Sequence, residues 1–135
     1  MTTPVHEGGC LCGAVRFKVT AGPVIGTVCH CRFCQRRTGS AFAAQARFNA
    51  GDVMIKGESR EWARIADSGN RIVYHFCPEC GSTVWYQGGG GLPEAIAIPL
   101  GAFADPGFPA PRFSVWEKRK HPWVAILGDE VEHSG

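Results

Sequence analysis

Seven cysteines fall into three tight groups in this 135-residue chain, and no cysteine lies elsewhere. The groups are Cys10-Leu11-Cys12, Cys29-His30-Cys31-Arg32-Phe33-Cys34 and Cys77-Pro78-Glu79-Cys80. Thiolates clustered this closely are typical of zinc ligands, which number four in a structural site and three in a catalytic site with an open fourth position. Because seven divides into four and three, the sequence predicts one site of each kind.

The chain is long enough for one domain with its own core, so we expect a single domain over 1–135, with a core at about 6–123 and a C-terminal tail. No apolar run reaches the roughly 18 residues of a membrane span, and residues 1–9 contain no apolar signal core. These features predict a cytoplasmic protein. Because thiols stay reduced there and an odd cysteine count suits full pairing poorly, a disulfide framework is disfavoured.

Short stretches of alternating or β-branched residues indicate a mainly β fold with antiparallel neighbours. The chain has 18 glycines and 9 prolines, which favour many turns. Only residues 31–40 could form a helical turn, and residues 88–91 and 105–111 are loops by composition. Strands are predicted at 14–20, 24–28, 41–48, 53–55, 71–76, 83–86 and 95–100.

The net charge of +2 and the lack of a long basic run argue against a nucleic-acid partner. With no membrane span either, a small molecule is the expected partner.

Cys77 and Cys80 have the form of a zinc knuckle at the tip of a hairpin, where Gly81 can take the positive φ that such a turn often needs. Two ligands do not close a structural site, and the best candidates for the other two are Cys10 and Cys12. Residues i and i+2 of an extended segment face the same side, and the glycines beside this pair permit the chain to curl. A redox Cys-x-x-Cys and unrelated buried cysteines are the alternatives.

Cys29, Cys31 and Cys34 can form a three-thiolate site with an open corner. Cys31 and Cys34 lie one helical turn apart, and Cys29 arrives from the preceding strand. Three thiolates on Zn²⁺ carry a net charge of about −1, so the site polarises water less than a three-histidine site does. A metal-hydroxide hydrolase is therefore disfavoured, and a soft ligand such as a low-molecular-weight thiol is favoured as substrate.

Polar residues follow the triplet, and some of them could contact that thiol. Arg36 or Arg37 could bind a carboxylate, and Gln35 and Ser40 are further candidate contacts. Solvent exposure of both arginines is the competing interpretation. His30 is expected at the surface or behind the ligands rather than as a ligand, and His75 is ambiguous.

Three ordered motifs resemble the glutathione-dependent formaldehyde-activating enzyme family, whose domain is also called the CENP-V/GFA domain. They lie at residues 8–17, 29–42 and 76–82. The resemblance implies an Mss4-like fold of several small antiparallel sheets with short helical turns. It also implies two zinc ions per chain, a structural one at Cys10, Cys12, Cys77 and Cys80 and a catalytic one at Cys29, Cys31 and Cys34.

The reaction implied by the resemblance is carbon–sulfur lyase chemistry, in which glutathione and formaldehyde combine to S-(hydroxymethyl)glutathione or the reverse occurs. Gln35, Arg36 and Ser40 are then the expected glutathione contacts. A non-catalytic zinc module for a small thiol or a protein partner is the alternative, and a fourth ligand from His30 or His75 would favour it. A thiol-redox or metal-sensing protein is a third hypothesis.

Overall fold

The protein is described from a computed structural model that covers residues 5–89 and 91–135. This part of the chain contains eleven strands and one α-helix, α1, at Arg32–Thr38. The strands are β1 His6–Gly9, β2 Arg16–Val19, β3 Ile25–Cys29, β4 Ala43–Phe48, β5 Val53–Lys56, β6 Arg60–Ile65, β7 Arg71–Phe76, β8 Thr83–Gln87, β9 Ile96–Pro99, β10 Phe113–Val115 and β11 Glu132–His133.

The strands form two sheets, and the mainly β class is confirmed. The smaller sheet has the order β1-β2-β5 and is antiparallel. The larger has the order β11-β10-β3-β4-β9-β8-β7-β6. All of its pairs are antiparallel except those of β10, which runs parallel to both β3 and β11. The long connection from β9 to β10 gives the chain room to re-enter the sheet in the parallel sense.

Seven predicted strands are present with bounds that differ by at most two residues, and the predicted helical turn forms α1. Four strands were missed: β1, β6, β10 and β11. Of these, β6 is an edge strand whose first three residues are exposed, and β10 and β11 are too short to show periodicity.

The main core joins the two sheets. Phe17 of β2 and Phe48 of β4 both pack against Phe103, with ring centroids 4.9 Å and 6.0 Å apart. Because side chains alternate along a strand, Ala46 and Phe48 face this core while Gln45 and Arg47 point to the opposite face of the large sheet. That opposite face carries a second, smaller cluster that includes Tyr74 and Tyr86.

The C-terminal segment returns to the large sheet. The Glu132 N–H donates to the Arg112 carbonyl at 2.8 Å, and the Ser134 N–H donates to the Ser114 carbonyl at 2.9 Å. These bonds hold β11 beside β10. None of the helices in the described residues is long and apolar enough to span a membrane.

Candidate metal centres and substrate cavity

The predicted four-cysteine set comes together. The sulfurs of Cys10, Cys12, Cys77 and Cys80 all lie within 4.8 Å of one another. Cys12 Sγ is 3.7 Å from both Cys10 Sγ and Cys77 Sγ. A tetrahedral zinc with bonds of about 2.3 Å places its sulfurs roughly 3.8 Å apart, so the set fits such an ion. We call this set the clamp.

Local backbone geometry shapes both halves of the clamp. Gly13 has φ 82° and Gly81 has φ 77°, values that L side chains rarely adopt. The Val15 N–H donates to Cys10 Sγ at 3.3 Å, and the Glu79 N–H donates to Cys77 Sγ at 3.4 Å. These N–H groups stabilise thiolates, which are the form that binds metal.

The second cysteine set forms a tripod at the end of β3. The sulfurs of Cys29, Cys31 and Cys34 lie within 4.8 Å of one another. Cys31 is the N-cap of α1, and its sulfur accepts from the Cys34 N–H at 3.4 Å. Among the described residues, no further His, Cys, Asp or Glu joins this group. The donor set therefore fits a soft metal ion with an open fourth position.

The three tripod thiols share their protons unequally. Hydrogen bonds from Cys29 and Cys34 lower the pKa of Cys31 to about 2. Hydrogen bonding to Cys31 and Cys34, together with burial, raises the pKa of Cys29. Zinc binds cysteine as the thiolate, so metal binding must release the proton that the raised pKa of Cys29 favours.

The tripod opens into a cavity of about 380 Å³ on the face of the large sheet opposite the core. This volume lies within the roughly 300–1,000 Å³ range of small-molecule sites. Three arginines line it and, among the described residues, no carboxylate does. Its walls are formed by Ile25, Thr27, Cys29, Cys31, Cys34, Arg37, Gln45, Arg47, Arg64, Ile72, Tyr74, Tyr86, Gly89, Phe113, Val115 and Trp116.

Aromatic side chains position two of these arginines. The Arg37 guanidinium carbon lies 4.9 Å from the ring centroid of Tyr74 and 5.1 Å from that of Tyr86. Arg64 Nε donates to the Tyr74 hydroxyl at 3.1 Å. Cation–π contacts and this hydrogen bond orient the two cations without neutralising them. Their positive charge stays available to a ligand.

Arg47 and Gln45 both line the cavity, and each has a buried polar atom without a partner in the described residues. Arg47 is 9% exposed and Gln45 is 5% exposed, and both line the cavity. Arg47 Nε and Gln45 Oε1 have no hydrogen-bond partner within the described part of the chain. Buried polar atoms are usually paired, so a bound molecule would complete this arrangement.

A family model described as glutathione-dependent formaldehyde-activating enzyme matches residues 5–119. The chain belongs to this family. A Halomonas elongata protein with a provisional name as a glutathione-dependent formaldehyde-activating enzyme is 29% identical, over 93% of this chain and 83% of its own length. A crystal structure of a Rhodobacter sphaeroides protein is 27% identical and covers 71% of this chain and 85% of its own, with a TM-score of 0.49.

Gln35, Arg36 and Ser40 were predicted as glutathione contacts from their position after the triplet, and none of them lines the tripod cavity. Gln35 Nε2 donates to the His30 carbonyl at 2.8 Å and to the Arg119 carbonyl at 3.0 Å. Arg36 lines a neighbouring groove that shares Arg37 with the cavity, and Ser40 lines a second groove that also shares Arg37. Contact of these three residues with glutathione stays a prediction.

The histidines near the cysteines contact neighbouring side chains rather than the cysteine sulfurs. His30 is fully buried rather than at the surface, and its Nε2 lies 2.9 Å from Ser114 Oγ. His75 stacks on Trp85 with ring centroids 3.6 Å apart, and its Nδ1 is 3.2 Å from Ser59 Oγ. Neither joins the tripod sulfurs.

The cavity residues that sequence reasoning missed include Gln45, Arg47, Arg64 and Tyr86. Gln45 and Arg47 alternate with apolar residues in β4, a pattern that normally marks a solvent-facing side. A usable signal was nonetheless present, because β4 follows the triplet closely and pairs with β3 through Cys29 and Ala43.

Proposed function

We propose that this protein is a zinc-dependent carbon–sulfur lyase that joins glutathione and formaldehyde to S-(hydroxymethyl)glutathione and catalyses the reverse reaction. Family membership supports glutathione-dependent formaldehyde chemistry. The observation that carries the proposal is a three-thiol tripod opening into a cavity with three arginines and no carboxylate among the described residues.

Charge supports an anionic thiol as substrate. A tripod of three thiolates with Zn²⁺ carries about −1, and Arg37, Arg47 and Arg64 bring the cavity to about +2. Glutathione bound as thiolate carries two carboxylates, one ammonium and the thiolate, or about −2, since each of these groups is ionised in that form. The charges of ligand and cavity therefore cancel, whereas a neutral thiol would leave the arginines uncompensated.

The reaction needs a thiolate close to the carbonyl carbon. The sulfur attacks that carbon, a C–S bond forms, the C=O π bond breaks, and the oxygen takes up the proton that the thiol has lost. Zn²⁺ held by Cys29, Cys31 and Cys34 would supply positive charge and a soft coordination position that favour the thiolate form. Arg37 or Arg64 would bind a carboxylate and fix the orientation of the thiol, which converts a collision into a positioned encounter.

Burial raises the pKa of the Tyr86 hydroxyl, so this group stays protonated at neutral pH. It offers the cavity a hydrogen-bond donor.

The supply of reduced thiols that this reaction needs fits the cytoplasmic location that we propose, and all seven cysteines are free.

Exchange spectroscopy tests the proposal directly. ¹³C-formaldehyde and glutathione are followed by NMR with zinc-loaded protein, and the exchange rate is compared with that of a Cys31→Ser/Cys34→Ser variant. Acceleration by the unaltered protein alone supports the lyase. An equal rate with both proteins, or with buffer and free zinc, refutes it.

The non-catalytic zinc module makes a different prediction for the same samples, namely glutathione binding without faster exchange. A closed module would need a fourth ligand at the tripod, and the described residues offer no fourth His, Cys, Asp or Glu there.

A further inference from the structure

Gln45 and Arg47 lie two residues apart in β4, and both line the cavity. Gln45 Oε1 is an acceptor and Arg47 Nε belongs to a cationic donor, and both are buried without a partner in the described chain. The acceptor fits an ammonium and the guanidinium fits a carboxylate. A molecule that satisfies both must present an ammonium and a carboxylate close together, as an α-amino acid does.

Strand register gives the distance of these groups from the tripod. In the β3–β4 pair, Cys29 lies opposite Ala43, Thr27 opposite Gln45, and Ile25 opposite Arg47. At about 3.3 Å per residue, the backbone of Gln45 is roughly 7 Å along the sheet from Cys29 and that of Arg47 roughly 13 Å. All of these side chains except Ala43 line one cavity.

We propose that Gln45 and Arg47 form a subsite for an α-amino carboxylate, the γ-glutamyl end of a glutathione-class thiol. The ammonium binds Gln45 Oε1 and the carboxylate binds the Arg47 guanidinium. This inference rests on the proposed function, because it takes the tripod as the position of the thiol sulfur.

The dimensions of the ligand agree with this orientation. The γ-glutamyl arm reaches on the order of 9 Å from the sulfur to its α-carbon when extended, which matches the span from the tripod to the Gln45–Arg47 pair. The glycine end of glutathione carries a carboxylate and no ammonium, so it would leave Gln45 Oε1 unsatisfied. That end is left to Arg37 or Arg64, whose guanidinium groups line the same cavity.

The test uses a ligand that does not offer a thiolate to the metal. S-methylglutathione and its glutaryl analogue, which lacks only the amino group, are titrated calorimetrically into the zinc-loaded full chain. The unaltered protein is expected to bind the amine-bearing ligand about tenfold or more tightly, because hydrogen bonds to charged groups are worth at least that ratio. Gln45→Leu is expected to bring the ratio close to one.

Three further variants keep the result interpretable. Gln45→Glu retains an acceptor and adds negative charge, so it is expected to raise the preference for the amine-bearing ligand even if Gln45→Leu does not fold. Arg47→Met is expected to weaken both ligands about tenfold or more. Arg60→Met removes an exposed arginine of β6 that does not line the cavity, and binding should not change.

The outcomes separate this proposal from the lyase. Equal affinity for the two ligands in the unaltered protein, or an amine preference that survives Gln45→Leu and is unchanged by Gln45→Glu, overturns the subsite. Exchange catalysis without amine discrimination leaves the lyase standing and removes the subsite. Amine discrimination without exchange catalysis keeps the subsite and refutes the lyase.

Discussion

Removing one half of the clamp is expected to destabilise the protein about twice as much as disabling the tripod. The clamp joins sulfurs that are 65 residues apart in sequence, Cys12 and Cys77. The tripod joins Cys29, Cys31 and Cys34, which a short turn already holds together. An ion that stays bound during unfolding constrains the unfolded chain, and the longer loop then loses more entropy.

The magnitude follows from loop length. Treated as a covalent cross-link, a loop of this length contributes about 4 kcal/mol, and the short tripod loop contributes about 2 kcal/mol by the same relation. With an unfolding entropy of about 2.1 cal/mol/K per residue, the larger value corresponds to a fall of roughly 15 °C in Tm and the smaller to roughly 7 °C.

The assay compares zinc-loaded Cys10→Ser/Cys12→Ser and Cys31→Ser/Cys34→Ser proteins by thermal unfolding, followed by circular dichroism. Cys12 is exposed and Cys10 only half-buried, so the first variant loses little packing. Zinc content is measured on the same samples, and each variant should lose one ion. Equal falls in Tm, or a larger fall for the tripod variant, would refute the loop-length argument.

Three further substitutions have outcomes that the structure specifies. At Gly57, φ is 100° and an added Cβ would lie 2.1 Å from the Ala14 carbonyl oxygen, so Gly57→Ala should cost more than about 2 kcal/mol in urea unfolding. Gly51→Ala, in open space, is its control, and equal stability of the two variants would contradict the reasoning. Gln35→Ala loses three hydrogen bonds of 2.8 to 3.0 Å and should cost about 2 kcal/mol. Arg36 is exposed, so Arg36→Ala should leave stability unchanged. A larger loss of stability for Arg36→Ala than for Gln35→Ala would contradict the role given to the Gln35 hydrogen bonds. Trp116 has φ 58°, so Trp116→Gly should be more stable than Trp116→Ala by about 1 kcal/mol, against the usual order in regular structure. An alanine variant that is as stable as the glycine variant would show that no strain is present.

The cysteine sets were predictable because metal ligation depends on local chain geometry. A Cys-x-x-Cys turn at a hairpin tip and a Cys-x-Cys beside glycines leave few alternatives for a four-thiolate site. The strand that leads into Cys29 and the helical turn after it could also be recognised, since both show their periodicity over enough residues.

The cavity was less predictable because it depends on which side of the large sheet is covered. Arg47 alternates with Phe48 as in any half-buried strand, and the sequence does not indicate that its side faces a cavity rather than water. Arg64 lies in β6, a charged edge strand, and its position depends on the antiparallel pairing of β6 with β7. The parallel β3–β10 pair likewise depends on contacts between residues more than 80 positions apart.

The sequence separation within the clamp also orders events during synthesis on the ribosome. All three tripod ligands emerge together, whereas Cys10 and Cys12 wait for more than sixty further residues before their partners at positions 77 and 80 appear. In the zinc protein that we propose, five thiols are therefore exposed to metal before the clamp can close. An ion bound by Cys10 and Cys12 alone must stay bound until the β7–β8 hairpin is made, or be released and replaced. Correct loading of the two sites is thus a matter of timing as well as affinity.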